Sequence, residues 1–249
     1  GWMVRAWLPT TLVLNQRRSS VSSPSSLVVA IDGPSGSGKS TVARRVADAL
    51  GLRYLDTGAM YRALTWWLLE QGLDLGDRDE VAVVARELPL RMGTDPSHPT
   101  VHVGDVDVGS AIRQTRISSV VSEVARNLGV RAELVRRQRA EIEQGGVVVE
   151  GRDITTVVAP DAPVRVLLTA REDVRLARRA RDVHGADHAD AVAAIHDQVL
   201  RRDADDSTVA SFVDAAEGVD VVDSSHHSVD ETVAAVLDLV RLRAGVTPG

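Results

Sequence analysis

Residues 33–40, Gly-Pro-Ser-Gly-Ser-Gly-Lys-Ser, form a G-x-x-x-x-G-K-S run, and its surroundings constrain the chain more than the run itself. It follows LVVAID (27–32), a short apolar stretch that reads as a buried strand. It precedes residues 40–50, where Val42, Val46, Ala49 and Leu50 fall at helical spacing. A strand, a glycine-rich turn and a helix N-terminus aim several backbone N–H groups at one point, a ready cradle for phosphate oxygens. Lys39 adds a compact positive charge for the β- and γ-phosphates, and Ser40 a hydroxyl for Mg²⁺. Gly33, Pro34, Ser35, Gly36, Ser37, Gly38, Lys39, Ser40 and Thr41 are therefore expected to hold a nucleoside triphosphate.

Composition sharpens this point. Of 29 basic residues only Lys39 is lysine; the rest are arginine. Arginine-favouring codon usage explains the excess but not the position of the one lysine. A planar guanidinium does not fit inside a ring of backbone amides, whereas an ammonium does. The single lysine also excludes the N-K-x-D guanine reader of a GTPase. With no cysteine, disulfides, thiolate metal sites and cysteine nucleophiles are excluded. A net charge of −6 gives no global attraction to nucleic acid or acidic lipid.

Further along, strands and helices alternate. Residues 53–56, 146–150, 164–168 and 220–223 read as strands, and residues 59–69 as a helix. Thr169 with Glu172, and Ser228 with Glu231, have the spacing of capping boxes opening helices. Such alternation implies an α/β fold, a parallel sheet covered by helices on both faces. Two stretches break the rhythm. Residues 88–110 carry short alternating runs between Gly and Pro, which predict a small inserted antiparallel sheet; residues 181–190 read as a mobile loop. Residues 1–26, with a Ser-rich end, read as a flexible leader outside the fold. Their apolar stretch precedes Arg17 and Arg18, the wrong order for a secretory signal. No run of 18 apolar residues is present to span a membrane.

Arginines surround the expected phosphate site in sequence. Arg136, Arg137 and Arg139 read as a solvated helix face. Arg152 does not: Glu150-Gly151-Arg152-Asp153 follows an apolar strand, and ligands of open parallel sheets bind at strand carboxyl ends. An arginine there suits a second phosphate. The histidine pairs 184/188 and 226/227 and the Trp66-Trp67 pair read as surface and helix packing, not as sites.

IDGPSGSGKST (31–41), LDTGAMYRA (55–63), VVVEGRDITTVVAPDAPV (147–164) and RRDADDST (201–208) together resemble bacterial cytidylate kinases, the CMP/dCMP members of the nucleoside monophosphate kinases. The resemblance runs from about residue 28 to residue 240. It implies a P-loop kinase core over 27–86 and 129–243, a monophosphate-binding insertion over 87–128 and a short lid at about 180–192. It further implies ATP and Mg²⁺, with CMP or dCMP as acceptor, a monomer, and a cytoplasmic setting in pyrimidine metabolism. Carried over by position, Thr57, Tyr61, Arg62 and Arg152 lie near the acceptor phosphate. Ser122, Arg131 and Asp153 read cytosine, and Arg202 and Asp206 hold the ribose. Arg178 and Arg179 are lid arginines that reach the ATP phosphates. With Lys39 and Arg152 they form the expected catalytic set. A carboxylate beside an arginine matches the amino donor and the O2 and N3 acceptors of cytosine.

The chain departs from the family's pattern at two places. Thr155 replaces a glycine after G-R-D, which predicts a strained turn if that glycine has positive φ. Val209 replaces an arginine after D-S-T, which predicts slow transfer. Asp32 and Asp56 fit a structural role or an outer-shell contact to Mg²⁺ equally well. Two alternatives stay open at this stage: another P-loop small-molecule kinase, and a nucleotide-binding protein with weak turnover.

Overall fold

A computed structural model describes residues 24–185, 189–207 and 215–249. In chain order its elements begin with β1 (Val28–Asp32), α1 (Lys39–Leu50), β2 (Arg53–Asp56), α2 (Thr57–Glu70) and α3 (Arg78–Glu87). Next come β3 (Leu90–Gly93), β4 (Thr100–Val103), β5 (Val106–Asp107), α4 (Thr115–Ser118), α5 (Val121–Ala125) and α6 (Leu128–Glu143). The chain then forms β6 (Val147–Gly151), a π-type turn (Ile154–Val158), β7 (Val164–Thr169), α7 (Glu172–His184), α8 (Ala189–Ser207), β8 (Asp220–Asp223) and α9 (Val229–Ala244).

The main sheet has the order β2-β6-β1-β7-β8, every pair parallel. Alternation along its strands divides two apolar layers. Val147 and Val149 of β6 pack with α2, α3 and α6, whereas Val148 packs with α1 and α9 on the opposite face. Both faces are covered, as an all-parallel sheet requires. The order reverses around β1, so the carboxyl ends of β1, β2 and β6 open a crevice on one edge.

The inserted antiparallel sheet is present as β3-β4-β5. The capping box of Ser228 and Glu231 is formed on α9. That of Thr169 and Glu172 is not: Thr169 pairs with Asp223 as the last residue of β7, and Arg171 precedes α7 without a side-chain cap. The expected loop at 181–190 is also corrected. Helix runs through His184 and resumes at Ala189, with residues 186–188 and His188 outside the described residues. Most of the expected leader lies outside them too; Pro24–Ser26 is a 3-10 turn. Trp66 and Trp67 are partly buried against the core, their rings 6.2 Å apart. No described helix is long and apolar enough to cross a membrane.

Arg136 is exposed as expected, 67% for its side chain, but Arg137 is not. It donates to the carbonyls of Ala85, Arg86 and Leu88, which closes the C-terminus of α3 against α6. Arg139 donates to the carbonyls of Val157 and Val158.

Candidate active site

β1 ends at Asp32 and the chain turns through residues 33–38 into α1. Gly36 and Gly38 have φ of 77° and 89°, the left-handed region where a side chain is strained. A Cβ at Gly36 would also sit 2.4 Å from the Arg175 carbonyl oxygen of α7. The glycines thus shape the cradle and admit a neighbouring helix. Within it the Ser37 hydroxyl is buried and lacks a hydrogen-bond partner among the described residues. Ser40, on the first turn of α1, donates to Glu150 Oε1 at 2.6 Å, and Tyr54 donates to the same oxygen at 3.1 Å. Thr41 is exposed on the same turn.

An open cleft adjoins this loop. Its walls bring together Lys39, Ser40, Thr57, Tyr61, Arg62, Arg131, Arg152 and Asp153, residues drawn from α1, α2, α6 and the end of β6. Glu150, Asp56, Gly58, Gly151, Val121 and Ala125 complete them. Ser122 is buried on α5 beside Val121. Thr57 donates to the Glu150 carbonyl at 2.9 Å, which ties the start of α2 to β6. Arg62 pairs with Asp56 at 2.9 Å. Arg131 and Asp153 form an ion pair at 2.5 Å, with side chains only 14% and 8% exposed.

The carboxylates of the cleft divide by environment. Burial pushes Glu150 above the ordinary glutamate range, and the nearby Asp56 charge adds to it. Burial also opposes ionisation of Asp56, but Arg62, the Ala59 N–H and Lys39 outweigh it and hold that carboxyl low. Asp32, left undecided by the sequence, is engaged structurally. It is buried, and accepts from the N–H groups of Ile154 and Thr155 and from the Thr155 hydroxyl at 2.9, 2.8 and 2.6 Å. Thr155 therefore carries no strain: it lies in the π-type turn, and no non-glycine residue described has positive φ. Its hydroxyl supplies a bond that glycine lacks.

On the far side of the loop, α7 contributes Arg178 and Arg179. Arg178 donates to the Ser224 hydroxyl and carbonyl at 2.9 and 2.7 Å and to the Ser37 carbonyl at 3.4 Å. Burial lowers the pKa of Arg179, and the nearby charge of Arg62 lowers it further. The side chains of Arg202 and Asp206, and Val209 altogether, lie outside the described residues.

Sequence reasoning missed Glu150, Arg175 and Asp203 as site residues. Asp203 of α8 pairs with Arg175 at 2.5 Å and with Arg152 at 3.4 Å, and accepts from the Ser35 N–H at 3.3 Å. A carboxylate ending an apolar strand was a usable signal for Glu150; nothing local marked the other two.

Oxygen donors dominate the floor of the cleft, with Ser40 beside Glu150 and Asp56. Such hard ligands suit Mg²⁺ supplemented by phosphate oxygens and water. Among the described residues no cluster of three or more acidic or histidine side chains forms a metal cage on its own.

Comparison with known proteins agrees with this geometry. A protein called cytidylate kinase from Cutibacterium acnes is 47% identical over 221 residues, covering 88% of this chain and 97% of that one. Another from Streptomyces griseus is 43% identical, covering 87% and 93%. A bifunctional pantoate ligase/cytidylate kinase from a Synechococcus species is 44% identical over 88% of this chain but only 45% of its own length. A solved structure of an uncharacterized protein from Eubacterium ventriosum shares the fold at a TM-score of 0.50 and 12% identity, covering 87% of this chain and 99% of that one. The family model described as Cytidylate kinase matches residues 29–242, from the first strand to the last helix, and the chain belongs to that family.

Proposed function

We infer that the protein transfers the γ-phosphoryl group of ATP to CMP or dCMP, giving ADP and CDP or dCDP. The observation that carries this reading is the buried Arg131–Asp153 pair on the wall of the cleft that also holds Lys39 and Arg152. A carboxylate accepts from the cytosine amino group while a guanidinium donates to O2 and N3; uracil reverses the pattern at position 4 and at N3. The base is thereby placed with its phosphate toward Arg62, Arg152, Thr57 and Tyr61, and that phosphate faces the loop end where Lys39 sits. Ser122, beside the same wall, belongs with the base readers.

The chemistry asks little of the protein beyond placement. A CMP phosphate oxygen is already an anionic nucleophile, so no general base is assigned. Residues 33–41 hold the triphosphate through loop N–H groups, and Lys39 neutralises charge between the β- and γ-phosphates. Ser40, with Glu150 behind its hydroxyl, would hold Mg²⁺ together with phosphate oxygens, and the ion would neutralise charge on the triphosphate. Arg152, Arg178 and Arg179 bring further positive charge from two sides, and Arg202 and Asp206 are assigned to the ribose. Residues 87–128 serve as the acceptor arm and about 180–192 as the lid, whose closure excludes water from the reacting phosphoryl. We place the protein in the cytoplasm, as a monomer.

An acceptor panel with ATP and Mg²⁺, followed as ADP and product by chromatography, tests the reading. ADP should form in one-to-one ratio with CDP or dCDP, and slowly without acceptor. Equal transfer to UMP, to AMP or to shikimate would overturn it.

A further inference from the structure

Asp203 is placed where a carboxylate is least expected. It reaches the phosphate loop from α8, 168 residues away in sequence, with its side chain only 14% exposed. Oδ1 accepts from the Ser35 N–H at 3.3 Å and faces Arg152 Nη1 at 3.4 Å. Oδ2 takes Arg175 Nη1 at 2.5 Å, and the same nitrogen donates to the Ser35 carbonyl at 3.0 Å. A backbone amide of the phosphate loop and two guanidinium groups are donors that a phosphate oxygen requires, and one carboxylate holds all three. The bond to Arg175 also ties α8 to α7, whose described apolar contact is Leu176 and Ala180 against Ala191, Ile195 and Val199.

We propose that Asp203 is a resident anion of the phosphate site. Its carboxylate occupies the Ser35 N–H, Arg152 and Arg175 donors until a phosphate group of the nucleotides displaces it. With this counter-charge, Arg152 and Arg175 stay assembled over the loop, and incoming phosphate exchanges one anion for another instead of gathering scattered arginines. The exchange frees α8 from the loop, so nucleotide binding and movement of the α7–α8 pair become one event. The cost is ground-state affinity, because each phosphate competes with a tethered carboxylate.

This inference rests on residues 33–41 binding phosphate, and the test separates the two. Inorganic tripolyphosphate with Mg²⁺ is titrated calorimetrically into the full-length wild type, Asp203→Asn and Asp203→Ser, with thermal melts confirming that each is folded. The amide of Asn keeps shape and one acceptor while removing the charge; Ser serves should the amide pack poorly. Either variant is expected to bind tripolyphosphate about 10-fold more tightly than wild type, and kcat with CMP is expected to fall, because the arginines are no longer pre-assembled. A purely structural anchor would weaken binding or leave it unchanged. Equal or weaker binding in both variants overturns the inference. No binding to wild type or to either variant overturns the phosphate-loop assignment and this inference with it.

Discussion

Two regions place positive charge around the phosphate loop, and they are held in place by different forces. The loop that presents Lys39 is fixed between β1 and α1, on strands whose Val29, Ile31 and Val148 are fully buried. The α7–α8 pair that presents Arg175, Arg178 and Arg179 has a small apolar core of its own, five buried residues with Val192 partly buried. Beyond α5, its ties to the phosphate side are polar: Arg178 to Ser224 and Ser37, Arg175 to Ser35, and Asp203 to Arg152. Apolar burial is non-directional and is not screened by salt, whereas charge pairs are screened and can be exchanged for ligand phosphates. In the exchange proposed for Asp203, the floor of the site stays fixed by burial while its cover is released by the charge that binds.

The largest expected effect is on the floor. Lys39→Met should leave the fold intact and lower kcat by about 10³-fold, since the charge between the separating phosphates is lost. Steady-state kinetics beside a thermal melt checks both halves. Comparable activity in Lys39→Arg would show that the loop does not enclose its cation and would break the contrast between floor and cover.

A paired substitution sharpens it. Thr155→Val keeps shape but leaves Asp32 one donor short in a buried setting, a loss of about 1–3 kcal/mol in denaturant unfolding. Leu176→Ala opens the small core of the α7–α8 pair. It should speed amide exchange across 172–207 while exchange in β1 and β6 stays as in wild type. Uniform loosening across both regions would mean that the pair is as firmly seated as the sheet.

What was legible from sequence follows the same division. The phosphate loop, the strand rhythm and the Ser228–Glu231 cap depend on residues a few positions apart, so spacing reveals them. Arg131 and Asp153 were found through resemblance, and their side chains pair on the cleft wall. Asp203 was not legible as a site residue: its partners are Ser35, Arg152 and Arg175, and polar residues on a helix carry no period that names their neighbours. Thr155 looked strained because a glycine's replacement was read as a backbone demand. The backbone there is unstrained, and the hydroxyl meets a carboxylate 123 residues away. Thr169 had the spacing of a cap, but pairing with Asp223 keeps it in β7. The arginine expected at Val209 has no structural account, since that position is outside the described residues.

The smallest effect lies away from the cleft. Hydrogen bonds from Arg136 and Arg137, against an opposing burial contribution, hold Glu133 at a pKa of about 2, below the ordinary 4.5. A depressed folded-state value means that its contribution is present above the ordinary value and is lost as pH falls through about 2. Glu133→Gln should be less stable than wild type at neutral pH, with the gap narrowing on acidification from 4.5 downward. A gap that widens on acidification would contradict this sign.

On the proposed function, Arg131 and Asp153 on the cleft wall select cytosine. Asp153→Asn tests it most directly, by measuring kcat/KM for CMP and UMP in the same assay. The amide nitrogen would donate where the carboxylate accepted, so CMP should lose about 10²-fold while UMP holds or improves and KM for ATP stays nearly constant. Equal losses for CMP, UMP and ATP would mean that Asp153 supports the sheet edge instead of reading the base, and would contradict the account.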